Sequence, residues 1–372
     1  MKKPNRLLLV GGGHAHVFLI KQFCLKSIPE LEVILVTACQ YQYYSGMAAG
    51  YVEGIYKEED MSFDLKKMCQ KSSVKYIESR IIGIDAVNKC VKLENNETVY
   101  FDVISMDTGS EMAGKNVEGV VEYAYCVKPL ENLFKLRANF IEQIFEGSQV
   151  LISGAGAAGI EIAFALRALA DKMEKNVKIT LLHRGNLILK GYNENVREKT
   201  IRKLKKDKIE VLSQHKILKV LENNLSLESG RQINYDFLVW AAGPMSNPMY
   251  KASVITVDEA GYMLVNRYLQ SVDYPFIFGA GDCISFSDFQ YVKKVGVYAM
   301  KEAPYLFNNI LKFINNEALH EYIPQTDYLA IISAGNKKGI MQYKRMAIIG
   351  SISWEIKNFI DRGFIKKFKF YE

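Results

Sequence analysis

The sequence predicts an α/β chain made of two Rossmann-like FAD/NAD(P)-binding domains, the second inserted in the first, plus a C-terminal amphipathic helical segment. Three observations carry that expectation. Two glycine-rich turns, in Leu7–Val17 (LLLVGGGHAHV) and Gln149–Ala163 (QVLISGAGAAGIEIA), each follow an apolar strand-like run and open an apolar helix-like run. That context is what makes such a turn informative. A phrase of aromatic residue, Asp, apolar strand and T/A-G occurs twice, at Tyr100–Gly109 and Tyr235–Gly243. After its second copy the chain reads PFIFGAGDC, Pro275–Cys283, a strand and a G-x-G-D turn. A glycine turn that opens a helix holds a pyrophosphate on free backbone N–H groups. Two such turns imply two dinucleotides face to face and a hydride moving between them, for which FAD and NADH or NADPH are the natural pair.

Composition fits a folded protein of this kind. The chain has 372 residues, 49% of them hydrophobic and 24% charged, too many for one simple core. A net charge of +7 is modest for this length and predicts no nucleic-acid partner. The six cysteines form neither C-x-x-C nor C-x4-C, and no leader is expected ahead of the first strand. Reduced thiols in a cytoplasmic protein follow. The apolar runs fall well short of the roughly 20 residues a membrane span needs. The five histidines have no ligand-like spacing, so no metal site is expected.

Taken in order, Arg6–Val10 reads as the first strand, Gly11 and Gly13 as the turn, and His14 as the start of a helix whose positive end faces phosphate. His16 stands at the third glycine position, which keeps helix and strand further apart. Leu31–Thr37 is the second strand. It ends in Thr37, where an acidic residue usually holds the ribose, so the ribose contact must differ. His14 and His16 read either as helix-start residues without chemistry or as part of the site. Tyr41–Tyr56, YQYYSGMAAGYVEGIY, reads as an apolar loop that something covers, either packing or a wall of the flavin site. The strand ending at Asp107-Thr108-Gly109 closes this half.

The second unit carries Gly154, Gly156 and Gly159 in full G-x-G-x-x-G register. Its second strand, Val177–Leu182, runs into His183-Arg184 in place of the Glu that would bond an NADH ribose. A cationic pair there suits a 2′-phosphate, and a solvated pair is the alternative. Residues 1–115 and 266–335 are expected to form the FAD-binding domain, 116–265 the NAD(P)H-binding domain and 336–372 the C-terminal membrane-contact segment.

The two glycine turns, the two T/A-G turns and IFGAGDC resemble, in that order, the two-dinucleotide-domain flavoproteins called pyridine nucleotide-disulfide oxidoreductases. Within them the chain resembles the type II NADH:quinone oxidoreductases, and GGGHAHV, YYSGMAAGYVEGIY, GVYAMKEAPYLFNN and WEIKNFIDRGFIKKF resemble more closely still their relatives fused ahead of selenophosphate synthase and among plastid-type quinone reductases. The resemblance covers essentially the whole chain. It implies that Gly11, Gly13, His14 and Ala15 hold the FAD pyrophosphate, with Thr37 and Gly109 beside the cofactor. It implies that Asp282 bonds the ribityl or pyrophosphate region, and that Val295, Gly296 and Val297 start a helix aimed at the flavin. A helix N-terminus there favours the negative charge of reduced flavin. Gly154, Gly156, Gly159, His183, Arg184 and Gly243 fall to NAD(P)H, and Glu161 to a catalytic place near nicotinamide and flavin. Disulfide and sulfide chemistry needs a cysteine pair at the flavin. Cys24 has no near partner, no cysteine follows Cys283, and Cys126 reads as a structural thiol. The acceptor is therefore expected to meet the flavin directly, as a lipid quinone of the menaquinone or ubiquinone class does. A soluble reductase for a protein, sulfur or selenium acceptor, and a slow flavin-bearing sensor, are the rival readings.

The tail is strongly basic, with nine Lys or Arg against two acidic residues between Lys337 and Lys369. In residues 353–370, Ile356, Phe359, Ile360, Phe364 and Phe368 fall on one helical stripe. With Lys357, Arg362, Lys366, Lys367 and Lys369 alongside, this reads as a helix lying on an anionic membrane surface at the inner face of the cell membrane. Docking on the protein's own core, or a homodimer contact, would use the same apolar face.

Overall fold

The computed structural model describes residues 5–371. Two five-stranded parallel sheets form its centre. The first orders its strands Ile277–Gly279, Val103–Met106, Asn5–Val10, Leu31–Thr37 and Lys75–Glu78. The second orders Tyr125–Cys126, Phe237–Trp240, Gln149–Ser153, Lys178–His183 and Ile209–Ser213. In both, the strand before the glycine turn is central, and a helix (His14–Leu25 or Ala157–Lys172) crosses to the next strand. Just ahead of the closing strand of each half the chain forms a three-stranded antiparallel sheet, from residues 81–100 and 217–234.

The repeated aromatic-Asp phrase has a structural cause. Asp102 Oδ2 accepts the backbone N–H of Arg6 at 2.7 Å, and Asp236 Oδ2 accepts that of Gln149 at 2.7 Å. In return, the N–H of each Asp donates to the carbonyl of the same residue at 2.9 Å. The phrase thus ties the start of the closing strand to the start of the central strand in both halves, satisfying backbone groups at a sheet end.

Two boundaries differ from expectation. Met263–Val265 pairs with Ile284–Phe286, so the chain has rejoined the first unit before residue 266. A three-stranded sheet, Ala330–Ser333, Gly339–Tyr343 and Met346–Gly350, runs across residue 336. The aromatic stretch after Tyr41 is also less of a loop than expected. Tyr41–Tyr43 is a strand and Ala48–Glu53 a helix, stopped by Gly54 at φ 82°. Its Ala and Met residues favour helix, and the glycine supplies the left-handed end.

The helix Ser351–Phe368 does not present the expected stripe to one side. It buries Ser353, Trp354, Lys357, Asp361, Ile365 and Phe368. Phe364 and Phe368 of the stripe pack inward, on Tyr44 and Phe63, while Phe359 and Ile360 face out. A buried Lys357–Asp361 ion pair at 2.6 Å, one turn apart, turns a polar edge into the inner face. No described helix is long and apolar enough to cross a membrane.

Candidate functional site

The first glycine turn is shaped by close backbone approach. Gly11 has φ +88°, and a side chain there would meet the Asp107 carbonyl. A side chain on Gly13 would overlap the Asp107 carboxylate, and one on Gly281 would lie 2.9 Å from its Oδ1. Gly11, Gly13, Ala15 and Asp282 are therefore brought together around Asp107, a residue whose role the motif did not announce. Its Oδ2 accepts the His16 N–H at 3.0 Å, and burial pushes its carboxyl up to about 7. Across Gly281, Glu302 Oε2 accepts the Gly281 N–H at 2.6 Å, and burial pushes that carboxyl up to about 8. Asp282 sits with Ser110 Oγ at 3.3 Å and Lys128 Nζ at 3.5 Å.

The two histidines differ. His16 is fully buried, its Nδ1 2.6 Å from the Gly11 carbonyl and its Nε2 2.9 Å from Ser105 Oγ. A carbonyl only accepts, so Nδ1 carries the proton and the Ser105 hydroxyl donates to Nε2. Burial lowers its pKa to about 4, and the ring bridges the glycine turn and the strand Val103–Met106. His14 is also held neutral by burial, at about 4. Its ring lies 5.5 Å from those of Tyr44 and Phe364, and its Nε2 is sealed from solvent without a protein partner.

Thr37 ends the second strand facing inward. It is buried, and its hydroxyl donates to the Cys39 carbonyl at 3.4 Å. Just beyond this strand end lies a cavity of about 440 Å³ lined by Ala38, Glu78, Ser79, Arg80, Glu94 and Asn95. A carboxylate does line this cavity: Glu78, paired across from Thr37 on the neighbouring strand, its Oε2 accepting from Tyr76 OH at 2.8 Å. Reading the second strand alone could not find it.

The second turn has the same build. Gly154 (φ +113°) lies against the Ala241 carbonyl and Gly159 against the Gly154 carbonyl, so neither tolerates a side chain. The helices Ala157–Lys172 and Gly296–Ile314 begin at Gly156 and Val295, neither of which supplies a side-chain cap. Around Gly109, Gly156, Gly243 and Gly296, no protein atom lies within 4 Å of a Cβ position. Free N–H groups facing open, glycine-lined space fit two pyrophosphates and a flavin edge. His183 and Arg184 are not a cationic pair. His183 is buried beside Ser213 Oγ at 2.8 Å with its pKa lowered by burial, and only Arg184 is exposed as a cation.

Glu161 lies where the second unit meets the C-terminal segment. It accepts the Ser333 N–H at 2.7 Å, and burial raises its pKa against the nearby Lys357 ammonium. Above it the long helix closes over the cleft. Tyr44 OH donates to Asp361 at 3.1 Å, Tyr56 OH to Asn358 at 2.8 Å, and Lys357 to the Gly46 carbonyl. Cys126 is buried in the core of the second unit, away from these groups. Cys283 is sealed under the G-D turn, its thiol pushed up to about 12 by burial. Among the described residues no cluster could hold a metal.

Residues 5–304 match the family described as pyridine nucleotide-disulphide oxidoreductase. The chain is 24% identical over 361 residues to the NADH dehydrogenase-like protein YutJ of Bacillus subtilis, covering 95% of this chain and 97% of that one. It is 22% identical over 385 residues to the type II NADH:quinone oxidoreductase of Staphylococcus aureus, covering 96% and 94%. The structure of NDH2 from Plasmodium falciparum in complex with NADH superposes with a TM-score of 0.83, at 16% identity and covering 98% and 97%. With its two glycine cradles and this match, the chain belongs to the pyridine nucleotide-disulphide oxidoreductase family and is an FAD-dependent NAD(P)H oxidoreductase.

Proposed function

We propose that the protein passes two electrons from NAD(P)H through FAD to a quinone held in an anionic membrane, lying peripherally on its cytoplasmic face. One observation carries this reading. The helix Ser351–Phe368 roofs the cleft with one face and turns large apolar side chains outward on the other. On the helix Phe359 is 81% exposed and Ile352 71%, with Ile360 also exposed, and the strand Met346–Gly350 that leads into it exposes Met346 (60%) and Ile348. Arg362, Lys366 and Lys367 are exposed on the same helix. Apolar side chains flanked by cations suit an anionic lipid surface. The names of the similar proteins agree with a quinone acceptor.

In this reading the bound FAD supplies a centre that takes a hydride and gives up electrons to a second substrate. The residues divide the remaining work. The turn Gly11–Gly13 and the start of the helix at His14 and Ala15 hold the FAD pyrophosphate, Glu78 its ribose and Asp282 its ribityl region. The helix start at Val295, Gly296 and Val297 favours the added negative charge of the reduced state through its positive end, the Val295 N–H itself being spent on the Lys293 carbonyl at 3.0 Å. Gly154, Gly156, Gly159 and Gly243 seat the donor, and Arg184 meets its adenosine ribose. Glu161, fixed by Ser333 and facing Lys357, holds a proton at the junction of donor and acceptor spaces. Tyr44, Phe364 and His14 wall the acceptor side and exclude water from it.

The test is an absorbance titration of purified protein. Anaerobic NADH or NADPH should bleach the flavin band, and a menaquinone analogue in anionic vesicles should restore it. A band that bleaches but is not restored by any quinone would overturn the acceptor. Bleaching by neither nucleotide would falsify the mechanism.

A further inference from the structure

We propose that Asp107 is a proton-linked cap of the FAD site: its carboxylate holds the first turn of the helix His14–Leu25 and takes up one proton when the FAD pyrophosphate arrives at that turn. This goes beyond the quinone reading and needs only that FAD binds.

The geometry comes first. Asp107 reaches in from the end of a different strand and receives the N–H groups of His16 and Ala15. Those belong to the orphan donors that make a helix start attractive to an anion. Its carboxylate lies so close under Gly13 that a side chain there would overlap it. A protein anion thus shares the helix end with the two negative charges of a pyrophosphate. The helix Ala157–Lys172, at the donor's turn, starts on Gly156, which gives it no side-chain cap.

The surroundings do not neutralise Asp107. Glu302 of the helix Gly296–Ile314 faces it across Gly281, and Asp282 and Cys283 of the same turn lie beside it. Tyr250 bonds Thr108 Oγ1 at 2.8 Å, and His16 on the capped helix is neutral. Lys294 is turned to the Ile284 carbonyl and Ser285, and Lys128 to Asp282 and Ser110. Among the described residues no Lys or Arg forms an ion pair with Asp107. Burial, with the Asp282 charge adding to it, already pushes its carboxyl up to about 7, and an arriving pyrophosphate raises it further. The sign follows from linkage. The FAD-bound form prefers Asp107 protonated, so affinity is full below the value of the FAD-free protein. It falls as pH rises from there to the FAD-bound value, by at most about tenfold per pH unit for one proton.

The experiment dilutes the holoenzyme and reads released FAD by fluorescence between about pH 6 and about pH 9, with calorimetry in buffers of different ionisation enthalpy to count protons. For the native protein, the FAD Kd should rise up to about tenfold per pH unit above about pH 7, with up to one proton taken up. Asp107→Asn keeps an oxygen for the His16 N–H, and should bind FAD with little pH dependence. Glu302→Gln should keep the slope. A flat native Kd without proton uptake, or a slope that survives in Asp107→Asn, overturns the proposal. So does a slope lost in Glu302→Gln and kept in Asp107→Asn, which moves the proton to Glu302. Should Asp107→Asn fail to fold, Glu302→Gln decides: slope and proton uptake kept in it support Asp107, and their loss overturns the proposal. Loss of the quinone reading would leave these Kd values untouched.

Discussion

Replacing Ile352 and Phe359 together by Ser isolates the outward face of the C-terminal helix. Both side chains are largely exposed, at 71% and 81%. Full transfer of such side chains out of water is worth about 1.5–3 kcal/mol each. A helix lying in a lipid interface immerses them only in part, so about 1.5–2 kcal/mol for the pair is a fair expectation. That corresponds to roughly 10- to 30-fold weaker partitioning. The assay is co-sedimentation with anionic vesicles at fixed salt, paired with turnover on a lipid-embedded and on a water-soluble quinone. Partitioning and lipid-quinone turnover should fall together while soluble-quinone turnover stays within about twofold, because neither side chain reaches the cleft. Unchanged partitioning would refute the membrane argument. An equal loss with both quinones would refute it too, by showing that the substitutions disturb the roof rather than the docking face.

Three further outcomes follow from the site. Arg184→Ala should lower kcat/KM for NADPH about tenfold more than for NADH, the size of a lost hydrogen bond to a charged group; an unchanged ratio removes Arg184 from the donor site. Glu78→Ala should weaken FAD binding about tenfold, measured by flavin release. A 2′-deoxyribose analogue of FAD should lose nothing more in that variant, and an additive loss would show that Glu78 does not hold the ribose. Glu161→Gln should keep the flavin spectrum and cut steady-state turnover at least tenfold; full turnover in this variant would leave Glu161 a structural residue bonded to Ser333.

What could be read from the sequence was what the backbone requires. Gly11 and Gly154 sit at φ values that disfavour side chains, hard against a carbonyl from the neighbouring strand, so they leave a fixed residue-level mark. Asp102 and Asp236 are legible twice because both halves use the same backbone bond. Long-range pairing leaves no such mark. Tyr44 meets Asp361 across 317 positions, and Glu161 meets Ser333 across 172. Periodicity identified an amphipathic tail, yet it scores Lys357 and Asp361 as polar and cannot know that they neutralise each other inside. His183 misled for the same reason: a histidine at a strand end reads as a cation until Ser213 and burial settle it as neutral. Thr37 announced only that a carboxylate was missing. Glu78 stands opposite it one strand away, in a pairing that only the fold reveals.

The roof over the cleft also fixes an order of events. Tyr44, Gly46 and Tyr56 are synthesised more than 300 residues ahead of their partners Asp361, Lys357 and Asn358. Both parallel sheets are complete in the chain by Gly279, so they can assemble while the cleft is still uncovered. At the pace of translation that interval lasts several seconds, at roughly 5–20 residues per second for the remaining stretch. The parts built to seat a dinucleotide thus precede, in chain order, the helix that packs over them.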